Sequence, residues 1–386
     1  MSFFVDYAAS SLNKVGEELC GDIVEFYRSA HSCIAVLSDG LGSGVKANIL
    51  ATLTAKIAIT MLKEGLSIEE VVDTIMQTLP VCQVRKLAYS TFTIVEVDTD
   101  GMAYIVEFDS PSIFFIHNNK IQFIKSIVKE INGRKIKESR VKLKEGDTLV
   151  FVSDGAIHAG VGNTMNLGWG WNDIAAFIED MPHSELSAKL VTSKVLDACD
   201  ALYVGEPGDD TTAVTMKLIE PKKVTLFSGP PKDRHRDKIM VDYLMCSKGK
   251  KIVCGGTAAN IVSRELGEEI ETIIDYNNRE IPPIGYIKGI DLVTEGVLTV
   301  RAALEMLEKI NSSIDISFLY ENNGAAKLAK MLFEDCTHLY MMVGRAINPA
   351  HQNPDFPEEL SIKYKLLKDL QNVLQGLGKV VEVEYY

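Results

Sequence analysis

Nowhere in the chain do about eighteen apolar residues follow one another, the length a helix needs to cross a bilayer. A membrane span is therefore not expected. The first residues, MSFFVDYAASSLNK, lack the basic start and long apolar stretch of a secretory signal, so a cytoplasmic protein is expected. Seven cysteines (20, 33, 82, 199, 246, 254 and 336) are scattered with no CxxC pair. That spacing argues against both a zinc site and a disulfide framework. There is no low-complexity segment and no internal repeat. A phosphate-cradling P-loop, a kinase signature and the Cys-x5-Arg element of cysteine-dependent phosphatases are all missing. Positive charge is also short: the net charge is −13, which disfavours nucleic acid and anionic lipid as partners. The surplus of carboxylates leaves acids free to bind cations.

What remains is an ordinary globular composition, 46% hydrophobic and 24% charged, over 386 residues, a length that suits two domains. The first half is strand-rich. CIAVLSDG (33–40) is an apolar strand ending in Asp-Gly, and residues 45–65 carry apolar residues at helical spacing up to Gly65. Ser67 with Glu70 is a capping-box pattern opening a helix over 67–79. Residues 90–126 alternate, broken at Asp100-Gly101 and Asn118-Asn119, which predicts a meander of hairpins. DTLVFVSDG (147–155) is a second strand ending in Asp-Gly, and DDTTAVTMKLIE (209–220) reads as a strand after two helices. Beyond Pro221 strand and helix alternate, the pattern of an α/β layer with some parallel pairing. The division expected is 1–221 and 222–386.

Three acidic elements stand out. Ser-Asp-Gly occurs twice, at 38–40 and 153–155, each time closing an apolar strand, and Gly208-Asp209-Asp210 opens the last strand of the first half. One Asp-Gly alone reads as a turn in which Asp accepts backbone N–H groups. Repetition on strands of one core shifts the reading toward acids that converge. Several carboxylates in one cleft repel each other, and a divalent cation relieves that repulsion. Oxygen ligands without His or Cys select Mg²⁺ or Mn²⁺. Glycine after each Asp lets backbone approach closely and can offer a carbonyl as a further ligand.

The elements Gly21-Asp22, SDGLGSG (38–44), STFTIVEVD with the later DSPSIFF, VSDGAIHAG (152–160) and GDDTTAVTMKL (208–218) resemble, in order and spacing, the metal-dependent serine/threonine phosphatases of the protein phosphatase 2C type. The similarity is greatest to the bacterial stage II sporulation E branch, which dephosphorylates regulators of sigma factors, and it covers about residues 5–220. It implies an α+β fold for the first domain: an αββα sandwich of two antiparallel sheets flanked by helices, with two Mn²⁺ or Mg²⁺ ions in the cleft between the sheets. By resemblance Asp39 bridges the two metals and the Gly40 carbonyl is a backbone ligand. Asp154 and Asp209 hold the more buried ion, and Asp22 contacts metal directly or through water. Asp210 stands where relatives often have Asn and is counted with the metal set, directly or in support. The implied activity is hydrolysis of phosphoserine or phosphothreonine on a bacterial regulatory protein by metal-activated water, in cytoplasmic signal transduction. Leu41 replaces a His found after Asp-Gly in many eukaryotic relatives, and no Arg lies between Val5 and Asp22, so no leaving-group acid is assigned.

Neighbouring residues have plainer readings. Lys14 and Lys46 read as solvated surface cations before substrate contacts. His158 reads as a satisfied structural His, and the Gly168-Trp169-Gly170-Trp171 stretch as packing against the sheet, with a substrate flap as the alternative. In the second domain, Gly255, Gly256 and Thr257 open a helix after a short strand and suit an anion, although a mere tight turn explains them as well. Ser228 to Pro231, Ile284-Gly285-Tyr286 with Gly289 and Asp291, Asn322-Asn323-Gly324 and Gly344-Arg345 are further candidate walls of a ligand site. This domain reads as a small-ligand sensor or as a self-association or docking module. A non-catalytic scaffold of the same fold that binds a phosphorylated partner is the alternative to an enzyme. A nucleotide phosphohydrolase or phosphotransferase site is a third reading, disfavoured by the absent P-loop and kinase motifs.

Overall fold

In the computed structural model, which describes residues 3–78, 90–183, 185–273, 284–346 and 358–386, the chain divides into two units, Met1–Glu220 and Pro221–Tyr386. The helical segment expected to end at residue 79 and Cys82 run into residues outside this description. The six described cysteines are free thiols.

The strands of the first unit begin with β1 (Phe4–Leu12), β2 (Asp22–Arg28) and β3 (Ser32–Gly40). Helices α1 (Gly44–Lys63) and α2 (Ile68–Thr78) follow, then β4 (Ser90–Asp98), β5 (Met102–Phe108), β6 (Phe114–His117) and β7 (Lys120–Gln122). The unit continues with β8 (Ser126–Ile131), β9 (Arg134–Lys142), β10 (Thr148–Val152), α3 (Asp154–Ile157), α4 (Gly170–Glu179), α5 (Ala188–Tyr203) and β11 (Thr211–Ile219). Two antiparallel sheets result, in the orders β1-β11-β10-β6-β7 and β2-β3-β4-β5-β9-β8. Their facing residues, among them Val5, Leu37, Val95, Ile105, Phe151 and Val214, form one buried cluster. A second cluster joins the outer face of the six-stranded sheet to α1 and α2 through Val36, Ile94, Ala55, Leu62 and Val72. Helix α5 covers β1 and β11 on the other side. The αββα sandwich of two antiparallel sheets is thus observed.

Local chemistry explains the turns. Asn118 and Asn119 both take left-handed φ, 51° and 58°, the pair of angles a two-residue hairpin between β6 and β7 requires. Glu70 accepts hydrogen bonds from the backbone N–H and hydroxyl of Ser67, both at 2.8 Å, closing the capping box at α2. The expected meander over 90–126 is not continuous, however. β4 and β5 pair in one sheet, whereas β6 and β7 lie in the other. The chain crosses between them through Asp109, at φ 48°, and Ser110-Pro111. Alternation persists through the crossing because both sheets bury one face against the same core. Helix α1 is, by length and mean hydropathy (1.4), apolar enough to span a bilayer, a helix that the search for an uninterrupted apolar run passed over because lysines punctuate it. It lies against β2, β3 and β4 and buries Ala47, Ala51, Ala55 and Ala58.

The second unit contains β12 (Lys223–Ser228), α6 (Asp237–Cys246), β13 (Lys250–Cys254), α7 (Gly256–Leu266), β14 (Glu271–Ile273), β15 (Ile284–Tyr286) and β16 (Leu292–Thr294). Then come α8 (Val297–Ser312), α9 (Gly324–Glu334), β17 (His338–Val343), α10 (Glu358–Gly376) and β18 (Val380–Tyr385). The sheet order is β14-β15-β16-β13-β12-β17-β18, with the five strands from β16 to β18 parallel. The chain first runs from β12 outward to β13 and β16, then returns to the far side of β12 for β17 and β18. Strand order therefore reverses between β12 and β17.

Candidate active site

Antiparallel pairing of β2 with β3 sets Asp22 directly opposite Asp39. Cross-strand neighbours of this kind hold their Cβ atoms about 5 Å apart. In the other sheet, Asp154 follows the end of β10 and Asp209-Asp210 precede the start of β11, and these two strands are also paired. Each Ser-Asp-Gly owes its Ser to the same need. The Ser38 hydroxyl meets that of Ser90 at 2.5 Å, and Ser90 donates to the Asp39 carbonyl at 2.9 Å. Ser153 accepts from the Thr212 N–H at 2.8 Å. Both serines lock a strand end, so the next residue, the Asp, leaves the sheet at a set angle. The glycines are required sterically. A Cβ on Gly155 would collide with the Asp210 carbonyl, and one on Gly40 with the Ala47 carbonyl at the start of α1. Tyr203 donates to the Gly155 carbonyl at 2.8 Å and fixes this turn further.

All five acids singled out in the first unit share one electrostatic neighbourhood. Asp39 is pushed up to about 9, first by burial and then by the charges of Asp22, Asp154 and Asp209. A hydrogen bond between Asp39 and Asp154 adds to this, and it requires a proton on one of the two carboxyls. Asp22 is raised to about 7 by burial, with Asp210 and Asp154 contributing, while Ser153 and Thr212 pull the other way. Asp209 is raised by burial and by Asp154, against Lys14. Asp154 acts on both Asp39 and Asp22, which links the two sheets' acids, and Asp210 Oδ2 lies 2.8 Å from where a Gly21 Cβ would stand, next to Asp22.

Asp22 is 4% exposed and its oxygens make no well-formed hydrogen bond, the Ser153 and Thr212 hydroxyls reaching them only weakly, and Asp210, 5% exposed, leaves Oδ2 without a partner. Orphaned buried carboxylate oxygens are costly unless a cation or proton satisfies them. The donor set is all oxygen, which fits Mg²⁺ or Mn²⁺. Among the described residues no three His, Cys, Asp or Glu side chains are drawn to metal-ligand spacing.

Lys46 and the tryptophans agree with their sequence readings, whereas Lys14 and His158 differ from theirs. Lys14 is not merely a solvated surface cation: its Nζ lies 3.7 Å from Asp209 Oδ1 and its N–H donates to Asp210 Oδ1 at 3.0 Å. Glu17 went unnoticed in the sequence. It accepts from the Ser43 hydroxyl at 2.8 Å and packs where a Gly44 side chain would project, pinning the 41–44 loop below Asp39. No local pattern signals either residue, since their partners lie far along the chain. Lys46 is exposed on α1, and His158 is exposed at the end of α3 rather than buried as a structural His. Trp171 stacks on Phe114 and donates to the Ser112 carbonyl at 2.7 Å, and Trp169 packs edge-on against Phe177, so the tryptophans pack rather than form a flap.

In the second unit Gly255 caps α7, with Gly256 and Thr257 in its first turn. Ser228, Gly229 and Gly344 lie with them at the carboxyl edge of the parallel strands. Asp291 lies at the opposite edge, accepting from the Lys251 N–H at 2.8 Å, and Asn323 is the cap of α9, accepting from Ala326 N–H at 2.8 Å. Asp291 is therefore not part of a wall at the carboxyl edge.

Residues 29–219 match the family model for stage II sporulation protein E, SpoIIE. Comparison with curated proteins gave no match. Among solved structures, the PP2C phosphatase domain of SpoIIE from Bacillus subtilis with a fragment of its regulatory domain is 20% identical, with a TM-score of 0.49. The alignment covers 56% of this chain and 63% of that one, so the chain spans less than two thirds of that relative's length. The RsbU and RsbW domains of a Mycobacterium tuberculosis protein are 15% identical over 63% of this chain and 67% of theirs, with a TM-score of 0.46. RsbX in complex with magnesium is 17% identical over 55% and 95% of the two chains, with a TM-score of 0.41.

Proposed function

Since residues 29–219 belong to the stage II sporulation protein E family, a branch of the PP2C-type phosphatases, we propose that this chain is a Mn²⁺- or Mg²⁺-dependent serine/threonine protein phosphatase. Its substrate would be a phosphoserine or phosphothreonine on a bacterial regulatory protein, such as a regulator of a sigma factor, in the cytoplasm. One observation carries the reading: Asp22, Asp39, Asp154, Asp209 and Asp210 lie on the ends of four strands or the turns beside them and together raise the carboxyls of Asp22, Asp39 and Asp209, with buried oxygens left unsatisfied.

Asp39 would serve both ions of a two-ion set, Asp154 and Asp209 would hold one of them, Asp22 would act directly or through water with Asp210 in support, and the Gly40 carbonyl would be a backbone ligand. When bound, two such ions lower the pKa of water and offset charge on phosphoryl oxygens. The chain's own residues do the rest. Paired strands fix the acids before substrate arrives, so little reorganisation accompanies reaction. Gly42, beside which the space is open, keeps side-chain bulk away from the mouth, while Gly40 and Gly44 make room for the Ala47 carbonyl and for Glu17. Lys14, held beside Asp209, sets one cation at the rim where a phosphate approaches. No side-chain nucleophile is needed in this scheme.

The test is hydrolysis of p-nitrophenyl phosphate and of a phosphoserine peptide with Mn²⁺, with Mg²⁺ and with EDTA, for wild type and Asp39→Asn. Turnover that needs metal and is lost in Asp39→Asn supports the reading. Full turnover in EDTA overturns it, and tight phosphopeptide binding without turnover points to the scaffold alternative.

A further inference from the structure

The carboxyl edge of the parallel sheet in the second unit gathers features that no part of the phosphatase reading uses. Open α/β sheets bind ligands in the crevice at this edge, where strand order reverses. Here the reversal lies between β12 and β17, and the two loops that follow these strands are joined directly: Gly344 N–H donates to the Ser228 carbonyl at 2.9 Å and Ala346 N–H to the Pro230 carbonyl at 3.0 Å.

Lys363 of α10 reaches into this junction. Its Nζ donates to the carbonyls of Ser228 at 3.1 Å and Gly344 at 3.4 Å, and a side chain at Gly229 would displace it. Burial holds its ammonium down at about 8. Among the described residues no carboxylate forms an ion pair with it. Among the described residues this cation is held by carbonyls, which leaves its charge available to an anion.

The next two strands contribute helix ends. β13 and β16 lead into α7 and α8, whose caps are Gly255 and Gly296, neither of which supplies a side-chain hydrogen bond. These caps lie side by side, a Cβ on Gly296 falling 3.5 Å from the Gly255 Cα. No cap side chain closes either turn, and the positive ends of both helix dipoles fall at one spot. Thr299, in the first turn of α8, is 2% exposed, yet its hydroxyl has no partner. A side chain on a helix leans toward the N-terminal end, so this hydroxyl is aimed at the same uncapped turn. The loop after β12 adds exposed Lys232, Arg234 and Arg236 against a single free-standing acid, Asp233, since Asp237 is paired with Arg264. Glu295, exposed on the β16 loop, acts on Cys254 with the opposite sign to Lys363 and sets one negative charge beside this edge.

We propose that this edge is a binding site for a diphosphate-bearing small molecule, seated between the uncapped N-termini of α7 and α8 with Thr299, at one end, and Lys363, at the other. From β16 to β12 is two strand spacings, about 10 Å, a span that a diphosphate with its attached group covers and a single phosphate does not. The diphosphate may be free or part of a nucleotide, and both carry the chemistry that the site reads.

The full chain is titrated calorimetrically with pyrophosphate and, separately, with ADP, in EDTA, where the acid cluster of the first unit repels anions. Sodium chloride at matched ionic strength is the control. Saturable binding is expected, and tighter binding of ADP assigns the source as a nucleotide, equal binding as free diphosphate. Lys363→Met should weaken affinity about 10- to 100-fold, the loss of a charge-assisted contact. Thr299→Val is the sharper variant. Its hydroxyl has no partner in the fold, so melting should be unchanged or raised, while affinity falls about 3- to 10-fold. Absence of saturable binding of both compounds at millimolar concentration overturns the proposal, as does wild-type affinity in Thr299→Val.

Discussion

Asp39→Asn should make the metal-free protein more stable while removing its activity. In the folded chain the Asp39 carboxyl is raised from 3.8 to about 9, whereas in the unfolded chain it titrates near its ordinary value. A raised carboxyl stabilises the fold fully below the unfolded value, and this contribution is lost as pH rises toward the folded one. At pH 7 the gap amounts to about 3 pH units, and at about 1.4 kcal/mol per unit the penalty has a ceiling of about 4 kcal/mol. Relaxation of Asp22, Asp154 and Asp209 around the charge reduces it, so about 2 to 4 kcal/mol is expected. Asparagine has the same shape, carries no charge and donates to Asp154 through its amide. For a unit of this size the gain corresponds to about 5 to 15 °C in Tm. Both tryptophans, Trp169 and Trp171, lie in the first unit, so their emission reports its unfolding alone. Melts are followed in EDTA at pH 4, 7 and 8.5. The gap between variant and wild type should be near zero at pH 4 and widen as pH rises, and Mn²⁺ should raise wild-type Tm more than that of the variant. A variant equal to or less stable than wild type at pH 7 in EDTA would refute the account of the cluster.

Three further outcomes follow from the geometry. Gly155→Ala forces a methyl group onto the Asp210 carbonyl and should lower stability by more than about 2 kcal/mol, read by urea denaturation with tryptophan emission. Ser153→Ala leaves the buried Thr212 N–H without its acceptor and should cost about 1 to 3 kcal/mol in the same assay, together with weaker Mn²⁺ binding, because Asp154 loses its anchor. Lys14→Met removes a partly exposed ion pair, so stability should change by less than about 1 kcal/mol, while calorimetry should show tighter Mn²⁺ binding as Asp209 is freed.

The acids were readable because each is spelled locally. A strand that must end in a fixed carboxylate uses Ser to tie its last hydrogen bond and Gly to clear the neighbouring backbone, so Ser38-Asp39-Gly40 and Ser153-Asp154-Gly155 look alike for a physical reason. Lys14 and Glu17 have no such spelling. Lys14 acquires its meaning from Asp209, nearly two hundred positions away, and Glu17 from Ser43. The same limit explains the meander. Alternation identifies strands β4 to β7 but is silent on which sheet each joins, because hydrogen-bond partners along a strand edge leave no mark on the side-chain pattern. In the second unit, strand and helix were visible from period and capping residues, whereas the reversal of strand order at β12 comes from where crossovers land. Lys363 accordingly drew no notice, and neither did Thr299.

Strand β1 pairs along its whole length with β11, Phe4 opposite Ile219 and Leu12 opposite Thr211. The opening strand of this unit thus has to wait for its closing strand to be synthesised before its edge is satisfied on that side. Closure of so long a loop is slow, and during synthesis the nascent five-stranded sheet stays open, with apolar Phe4 and Val5 uncovered for the time it takes to translate about two hundred codons. Expression of this protein should accordingly respond to chaperone supply and to growth temperature.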